Sequence, residues 1–184
     1  MDLEHKFARL GGDVTVTDMA DQGVRIEGYA SLFGNVDQGR DVVDAGAYAA
    51  SLARLAARGG RVKMLWQHDP AQPIGVWDEV REDKRGLYVK GRILTDVARG
   101  REAAALIGAG AMDGLSIGYR MIKARKDDKG VRHLSELELW EVSLVTFPML
   151  PEARVAAKGD GLDAASLREL AAVFEEARAD LTRP

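Results

Sequence analysis

Ile74-Gly75-Val76-Trp77-Asp78-Glu79-Val80-Arg81-Glu82-Asp83-Lys84-Arg85-Gly86-Leu87-Tyr88-Val89-Lys90-Gly91-Arg92-Ile93 is the stretch that decides the fold class. Ile74 to Val80 is β-prone, and Leu87, Val89, Gly91 and Ile93 alternate with Tyr88, Lys90 and Arg92. A period of two sends successive side chains to opposite faces, as in a half-buried strand. Glu82-Asp83-Lys84-Arg85-Gly86 between them has turn chemistry, so the stretch predicts an antiparallel hairpin.

The same signal recurs on both sides. Upstream, Val62 to Trp66 is a short apolar strand, and Val24, Ile26, Gly28, Ala30 and Leu32 alternate with Arg25, Glu27, Tyr29 and Ser31. Val14 to Thr17 is a further β-prone run, and Gly34 to Asp41 is loop chemistry. Asp44 is the expected N-cap of a helix with Tyr48, Leu52 and Leu55 on one face, stopped by Gly59-Gly60. Downstream, a second helix is expected from about Asp96 through Ile107, ended by Gly108 and Gly110. Gly114 to Ile122 alternates with Leu115, Ile117, Tyr119 and Met121 on one side, and Glu136 to Thr146 is another long β-prone run. Lys123 to Gly130 reads as a charged, mobile connection between those two strands. Ala156 to Gly161 reads as a linker, and Leu167, Leu170, Phe174 and Leu181 beyond it form an amphipathic helix that must bury one face. The sum is an α+β chain, mainly antiparallel β, and a barrel or closed sheet rather than a βαβ fold.

Composition narrows the chemistry. The 184 residues suit one domain with an appended tail, and 46% hydrophobic with 30% charged residues is ordinary for a soluble globular protein. No apolar run is long enough to cross a bilayer, and the N-terminus has no signal-peptide core, so the expectation is a cytoplasmic protein without membrane contact. The absence of cysteine excludes disulfides, a thiolate nucleophile and cysteine-ligated metals. His5, His68 and His133 are the only histidines and none has metal-ligand spacing, so no cofactor is expected. A net charge of −3 with scattered basic residues argues against nucleic acid as a partner.

Three short motifs remain that can carry chemistry. In Asp113-Gly114-Leu115-Ser116-Ile117-Gly118-Tyr119, Ser116 projects from the face opposite Leu115 and Ile117. Gly114 and Gly118 share its face and leave room for a substrate to approach. Taken alone, the motif also fits a small residue packed under a neighbouring element. In Leu65-Trp66-Gln67-His68-Asp69-Pro70, His68 ends an apolar strand before a proline turn, a place where a rigid element holds a functional side chain. A neutral imidazole there can accept a hydroxyl proton, or simply bond a backbone carbonyl. In Leu137-Glu138-Leu139-Trp140-Glu141-Val142-Ser143-Leu144-Val145, Glu141 shares parity with Leu137, Leu139 and Val145, on an otherwise apolar face where a carboxylate needs a partner. That partner is an imidazole or one of the many arginines, while Glu136 and Glu138 read as solvated charges. A hydroxyl, a base and an orienting acid are the minimum for nucleophilic acyl transfer.

At these residues the sequence resembles the prohead serine protease family of tailed phages and gene transfer agents. The resemblance runs from about Gly28 to Val155. It is carried by Gly28-Tyr29-Ala30-Ser31-Leu32-Phe33-Gly34-Asn35-Val36-Asp37, Asp41-Val42-Val43, Gly46-Ala47-Tyr48, Trp66-Gln67-His68-Asp69, Pro73-Ile74-Gly75 and Gly86-Leu87-Tyr88-Val89-Lys90-Gly91, then by the Ser116 and Glu141 motifs through Pro148. Several ordered motifs at these intervals make a specific signal.

The resemblance implies a fold like the herpesvirus capsid-maturation protease, a compact β-barrel wrapped by helices. Together with the composition and spacing beyond it, this gives an expected protease domain over 1–155, a linker over 156–161 and a helical tail over 162–184. The resemblance also implies an endopeptidase that cuts the scaffold segment from the major capsid protein precursor, and often itself, inside the assembling procapsid. Ser116 carries over as nucleophile, His68 as base and Glu141 as third member. In the herpesvirus relatives a histidine fills that third position, which makes His133 the competing residue. The oxyanion donors are expected in the loop Thr146 to Arg154, which lacks the relatives' arginine-glycine pattern. The tail helix is expected to dock on the shell or on a second copy as a homo-oligomer. The rival reading is a non-catalytic capsid or scaffold component with a protease-derived fold.

Overall fold

The structure is a computed structural model that describes residues 4–8, 17–20 and 23–147. The described strands are β1 (Glu4–Ala8), β2 (Thr17–Ala20), β3 (Gly23–Leu32), β4 (Asp41–Val43), β5 (Lys63–Trp66), β6 (Asp69–Glu82), β7 (Gly86–Ile93), β8 (Gly114–Lys126) and β9 (Arg132–Val145); the helices are α1 (Ala49–Ala57) and α2 (Ala98–Gly108). They form one nine-stranded sheet in the order β1-β8-β9-β5-β6-β7-β3-β2, with β4 paired to β9 off that path. Every pairing is antiparallel except β4 and β5 on β9. The sheet curls into a half-barrel far enough for β3 to touch β8 without pairing to it. The expected β-rich, α+β architecture is therefore present. The linker and tail helix expected beyond residue 155, and most of Val14 to Thr17, lie outside the described residues.

The core lies inside the curl. Ile26, Val89, Ile93, Met64, Ile74, Leu115, Ile117, Leu137 and Val142 are almost wholly buried there. Each such side chain contributes about 1.5–3 kcal/mol of burial. Trp77 Nε1–H crosses the core to donate to the Val142 carbonyl at 3.2 Å, pinning β6 against β9.

β9 is the strand on which the rest of the architecture hangs. One edge pairs with β8 along nearly its whole length. The other edge is served in turn by β4, by the α1 region and by β5: Leu137 N–H donates to Ala47 O at 2.9 Å and Leu139 N–H to the buried Ser51 hydroxyl at 2.9 Å, between the two parallel pairings. α1 forms because seven of its nine residues are Ala or Leu, strong helix formers.

Several sequence expectations need correction. Asp44 does not cap α1, which begins at Ala49 after a separate turn; its carboxylate instead pairs with His133 Nδ1 at 3.0 Å. Asp41-Val42-Val43 is a strand and not the end of a loop: three buried residues pair in parallel with Arg132 to Leu134. Lys123 to Lys126 is not a mobile connection. β8 runs on through it because Lys123 meets Glu136 at 2.7 Å across the pair, and the turn is confined to Asp127–Val131, where Asp127 Oδ1 accepts from the Lys129 and Val131 N–H groups. Met121 is exposed, unlike Leu115, Ile117 and Tyr119 on the same strand, because β8 has left the core by then and every residue from Met121 to Lys126 is exposed. The basic residues are not all scattered, since Arg54, Arg58, Arg61 and Lys63 line one cleft beside Trp140.

Candidate active site

His68 is presented by the turn between β5 and β6. Trp66 pairs with Asp69, leaving Gln67 and His68 as a two-residue loop with φ of 51° and 62°. Two consecutive left-handed residues make the turn whose twist matches a hairpin, normally built from Asn and Gly. Left-handed backbone costs an ordinary residue roughly 1–2 kcal/mol. The surroundings hold the turn in place. Gln67 N–H donates to Leu144 O at 2.9 Å, the Gln67 side-chain amide donates to Thr146 Oγ1 at 2.6 Å, and His68 N–H donates to Ser143 Oγ at 3.1 Å. The turn is thus at His68 itself, not at Pro70, which lies in the irregular first part of β6.

Ser116 stands on β8 opposite Ser143 of β9, and Phe7 of β1 pairs with it from the other side. As read from the sequence, it points away from Leu115 and Ile117, which are in the core. Glu141 pairs with Gly118, two residues along. Parity counting puts Glu141 with Leu137 and Leu139, but a bulge at Trp140 reverses the alternation. Leu139 and Val142 both face the core, so Glu141 and Ser143 face the other way, on the side of Ser116. The bulge coincides with the Leu139 N–H that bonds Ser51 of α1 rather than a strand.

The three side chains meet. His68 Nε2 lies 2.5 Å from Ser116 Oγ, and His68 Nδ1 lies 2.5 Å from Glu141 Oε1. A carboxylate can only accept, so Nδ1 carries the proton and Nε2 is left to accept from the serine hydroxyl. Ser116 is wholly buried, and the His68 and Glu141 side chains are only 10% and 7% exposed.

Two features of the site escaped the sequence reading. Gly118, read as clearance for substrate, is clearance for Glu141: a Cβ there would stand 2.0 Å from Oε1. Ser143, also fully buried, donates to Glu141 Oε2 at 2.6 Å. Ser143 lies on the Nδ1 side of the ring, so Ser116 is the hydroxyl that faces Nε2. His133 is not in this cluster; it sits between Asp44 and Asp127, 3.0 and 3.6 Å away. Of the expected oxyanion loop, Thr146 and Phe147 are described and the remainder lies outside the described residues. Among the described residues no group of His, Asp and Glu could hold a metal ion, and no helix is long and apolar enough to cross a membrane.

Comparison with known proteins points to one family. A family model described as the caudovirus prohead serine protease matches residues 13–167. The prohead protease of Enterobacteria phage HK97 is 32% identical over 151 residues, which is 79% of this chain and 64% of that protein, so the chain spans a little under two thirds of that relative. The bacteriophage T4 capsid assembly protease gp21 has the same fold: 78% of this chain superposes on 96% of gp21 with a TM-score of 0.63 at 16% identity. A 66-residue stretch is also 46% identical to a glycerol-3-phosphate dehydrogenase of Azorhizobium caulinodans, covering 35% of this chain and 20% of that one. Among the described residues no G-x-G-x-x-G turn joins a strand to a helix, as a dinucleotide site of that kind would require.

Proposed function

The chain belongs to the caudovirus prohead serine protease family, and from that membership we propose that it is a serine endopeptidase with Ser116 as nucleophile, His68 as base and Glu141 as the orienting acid. The observation that carries the reading is the unbroken contact from Ser116 Oγ through both nitrogens of His68 to the Glu141 carboxylate. His68 Nε2 takes the hydroxyl proton as Oγ attacks a peptide carbonyl. Glu141 keeps the ring in the accepting tautomer and stabilises the imidazolium that forms. His68 then returns the proton to the leaving amine, and water repeats the cycle on the acyl-enzyme. Backbone N–H groups after β9 are the proposed oxyanion donors.

The proposed substrate is the major capsid protein precursor, cut at its scaffold segment within the procapsid, with the enzyme's own linker over 156–161 as a second target. The protease domain spans 1–155 in this reading, and the tail over 162–184 docks on the shell or on a second copy. The kinship of fold with the herpesvirus maturation protease belongs to the same proposal. A non-catalytic scaffold role is disfavoured, because a protein without acyl-transfer chemistry has no need to bury a hydroxyl, an imidazole and a carboxylate in one relay.

Co-expression with the capsid precursor tests the reading. Wild-type enzyme is expected to convert the precursor to a shorter species on a gel. Ser116→Ala, with an unchanged melting temperature, is expected to leave it full length and to resist fluorophosphonate labelling. Complete processing by Ser116→Ala removes the assignment.

A further inference from the structure

Ser143 is wholly buried and touches both halves of the acid–base pair. Its oxygen accepts from the His68 backbone N–H at 3.1 Å and its proton goes to Glu141 Oε2 at 2.6 Å. Glu141 Oε1 meets the His68 ring at 2.5 Å, so the contacts close a ring: His68 backbone, Ser143 hydroxyl, Glu141 carboxylate, His68 imidazole. A carboxylate held at one oxygen can still rotate about its last bond, and its χ3 preference is broad. A donor on each oxygen fixes its plane. The same hydroxyl anchors a turn residue at φ 62°, where backbone left to itself would relax.

We propose that Ser143 is a positioning residue of the active site, holding the Glu141 carboxylate in the plane that faces His68 Nδ1 while anchoring the turn that presents the imidazole. The inference rests on the Ser116–His68–Glu141 reading and adds a fourth member that acts through Glu141. Supporting an already placed group is the role outer hydrogen bonds play in precise sites. The loss expected on deletion is therefore one of rate and not of binding.

The rate of fluorophosphonate labelling of Ser116 measures this without knowledge of the cleavage sequence. Ser143→Ala in the full chain is expected to lower the limiting labelling rate roughly 10- to 100-fold, in keeping with misplacement by a fraction of an ångström. The half-saturating reagent concentration should stay within about twofold, because Ser143 touches no reagent. Ser143→Thr, which keeps the hydroxyl, should recover most of the rate. The deciding measurement is a double-mutant cycle: in a Glu141→Ala background, Ser143→Ala should cost clearly less than in the parent, the remainder being the share of the turn anchor, which does not pass through Glu141. An unchanged limiting rate in folded Ser143→Ala overturns the proposal, and so does an equal loss in both backgrounds, which marks a purely structural residue. Labelling that persists in Ser116→Ala would instead bring down the underlying site reading, so the two failures are distinct.

Discussion

Replacing Gly118 with alanine puts a methyl group where the Glu141 carboxylate now lies. The added carbon would stand 2.0 Å from Oε1, 2.7 Å from Cδ and 2.8 Å from Cγ. Real Cβ atoms do not come closer than 3.0 Å, so with β8 fixed the oxygen must retreat by at least 3.0 − 2.0 = 1.0 Å. A retreat away from the imidazole stretches the 2.5 Å contact with His68 Nδ1 to 2.5 + 1.0 = 3.5 Å, past the normal length of a hydrogen bond. A misplacement of this size in a catalytic group costs on the order of 100-fold in rate, or about 2.7 kcal/mol of barrier. Overpacking adds roughly 1–3 kcal/mol of lost stability, so the variant should fold with a melting temperature lowered by several degrees. The fluorophosphonate labelling rate and a thermal melt read the two effects separately. In a Glu141→Ala background the methyl meets no carboxylate, and the further loss should fall below about threefold. A folded Gly118→Ala enzyme that labels within threefold of the parent would refute the claim that this glycine exists to seat the acid.

Glu141→Gln should lower activity by roughly 10²–10⁴-fold, since an amide can neither fix the tautomer nor stabilise imidazolium. Glu138→Gln, which loses only the partly exposed pair with Arg120 at 2.6 Å, should stay within about twofold, and equal losses would reopen the third role. Gln67→Val should destabilise by about 1–3 kcal/mol in a denaturant titration, because a β-branched residue fits poorly at φ 51°, while Gln67→Gly should be tolerated. Burial pushes the Asp83 carboxyl up, but hydrogen bonds from Tyr29, Arg81 and the Arg85 and Gly86 N–H groups outweigh it and hold the group at about 2. A folded value below the unfolded one of about 3.9 stabilises the protein fully above that pH, and the contribution is lost as pH falls through the folded value. Melting temperatures measured from pH 5 to pH 2 should therefore fall less steeply for Asp83→Asn than for the parent.

Where local pattern governs, the sequence was readable. The alternation over 24–30 and 87–93 sets the faces of β3 and β7, and the opposition of Ser116 to Leu115 and Ile117 survives intact in β8. The misses occur where something distant in sequence overrides the pattern. The bulge at Trp140 coincides with a Leu139 N–H bonded to Ser51, 88 positions away, and it moves Glu141 from the face that parity predicts. The left-handed pair Gln67-His68 contains no Gly or Asn and so carries no local signal; bonds to residues 143, 144 and 146 hold it. Ser143 shares a face with Ser116 only once that bulge is counted, which is why it reads as one more strand serine. Lys123 to Lys126 looks like solvated linker until Glu136 is seen across the pair. Asp41 to Val43 is too short for any period, and its strand identity comes from β9 alone.

The position of β9 between β8 and β5 has a consequence for when the Ser116–His68–Glu141 contact can form. The hydroxyl reaches the spine strand from one flank and the imidazole from the other, so their separation is inherited from sheet spacing rather than adjusted by any hinge. A nascent chain that has not zipped both flanks has not yet brought the two side chains together. The Ser116–His68–Glu141 contact therefore arrives in the same cooperative event as the fold.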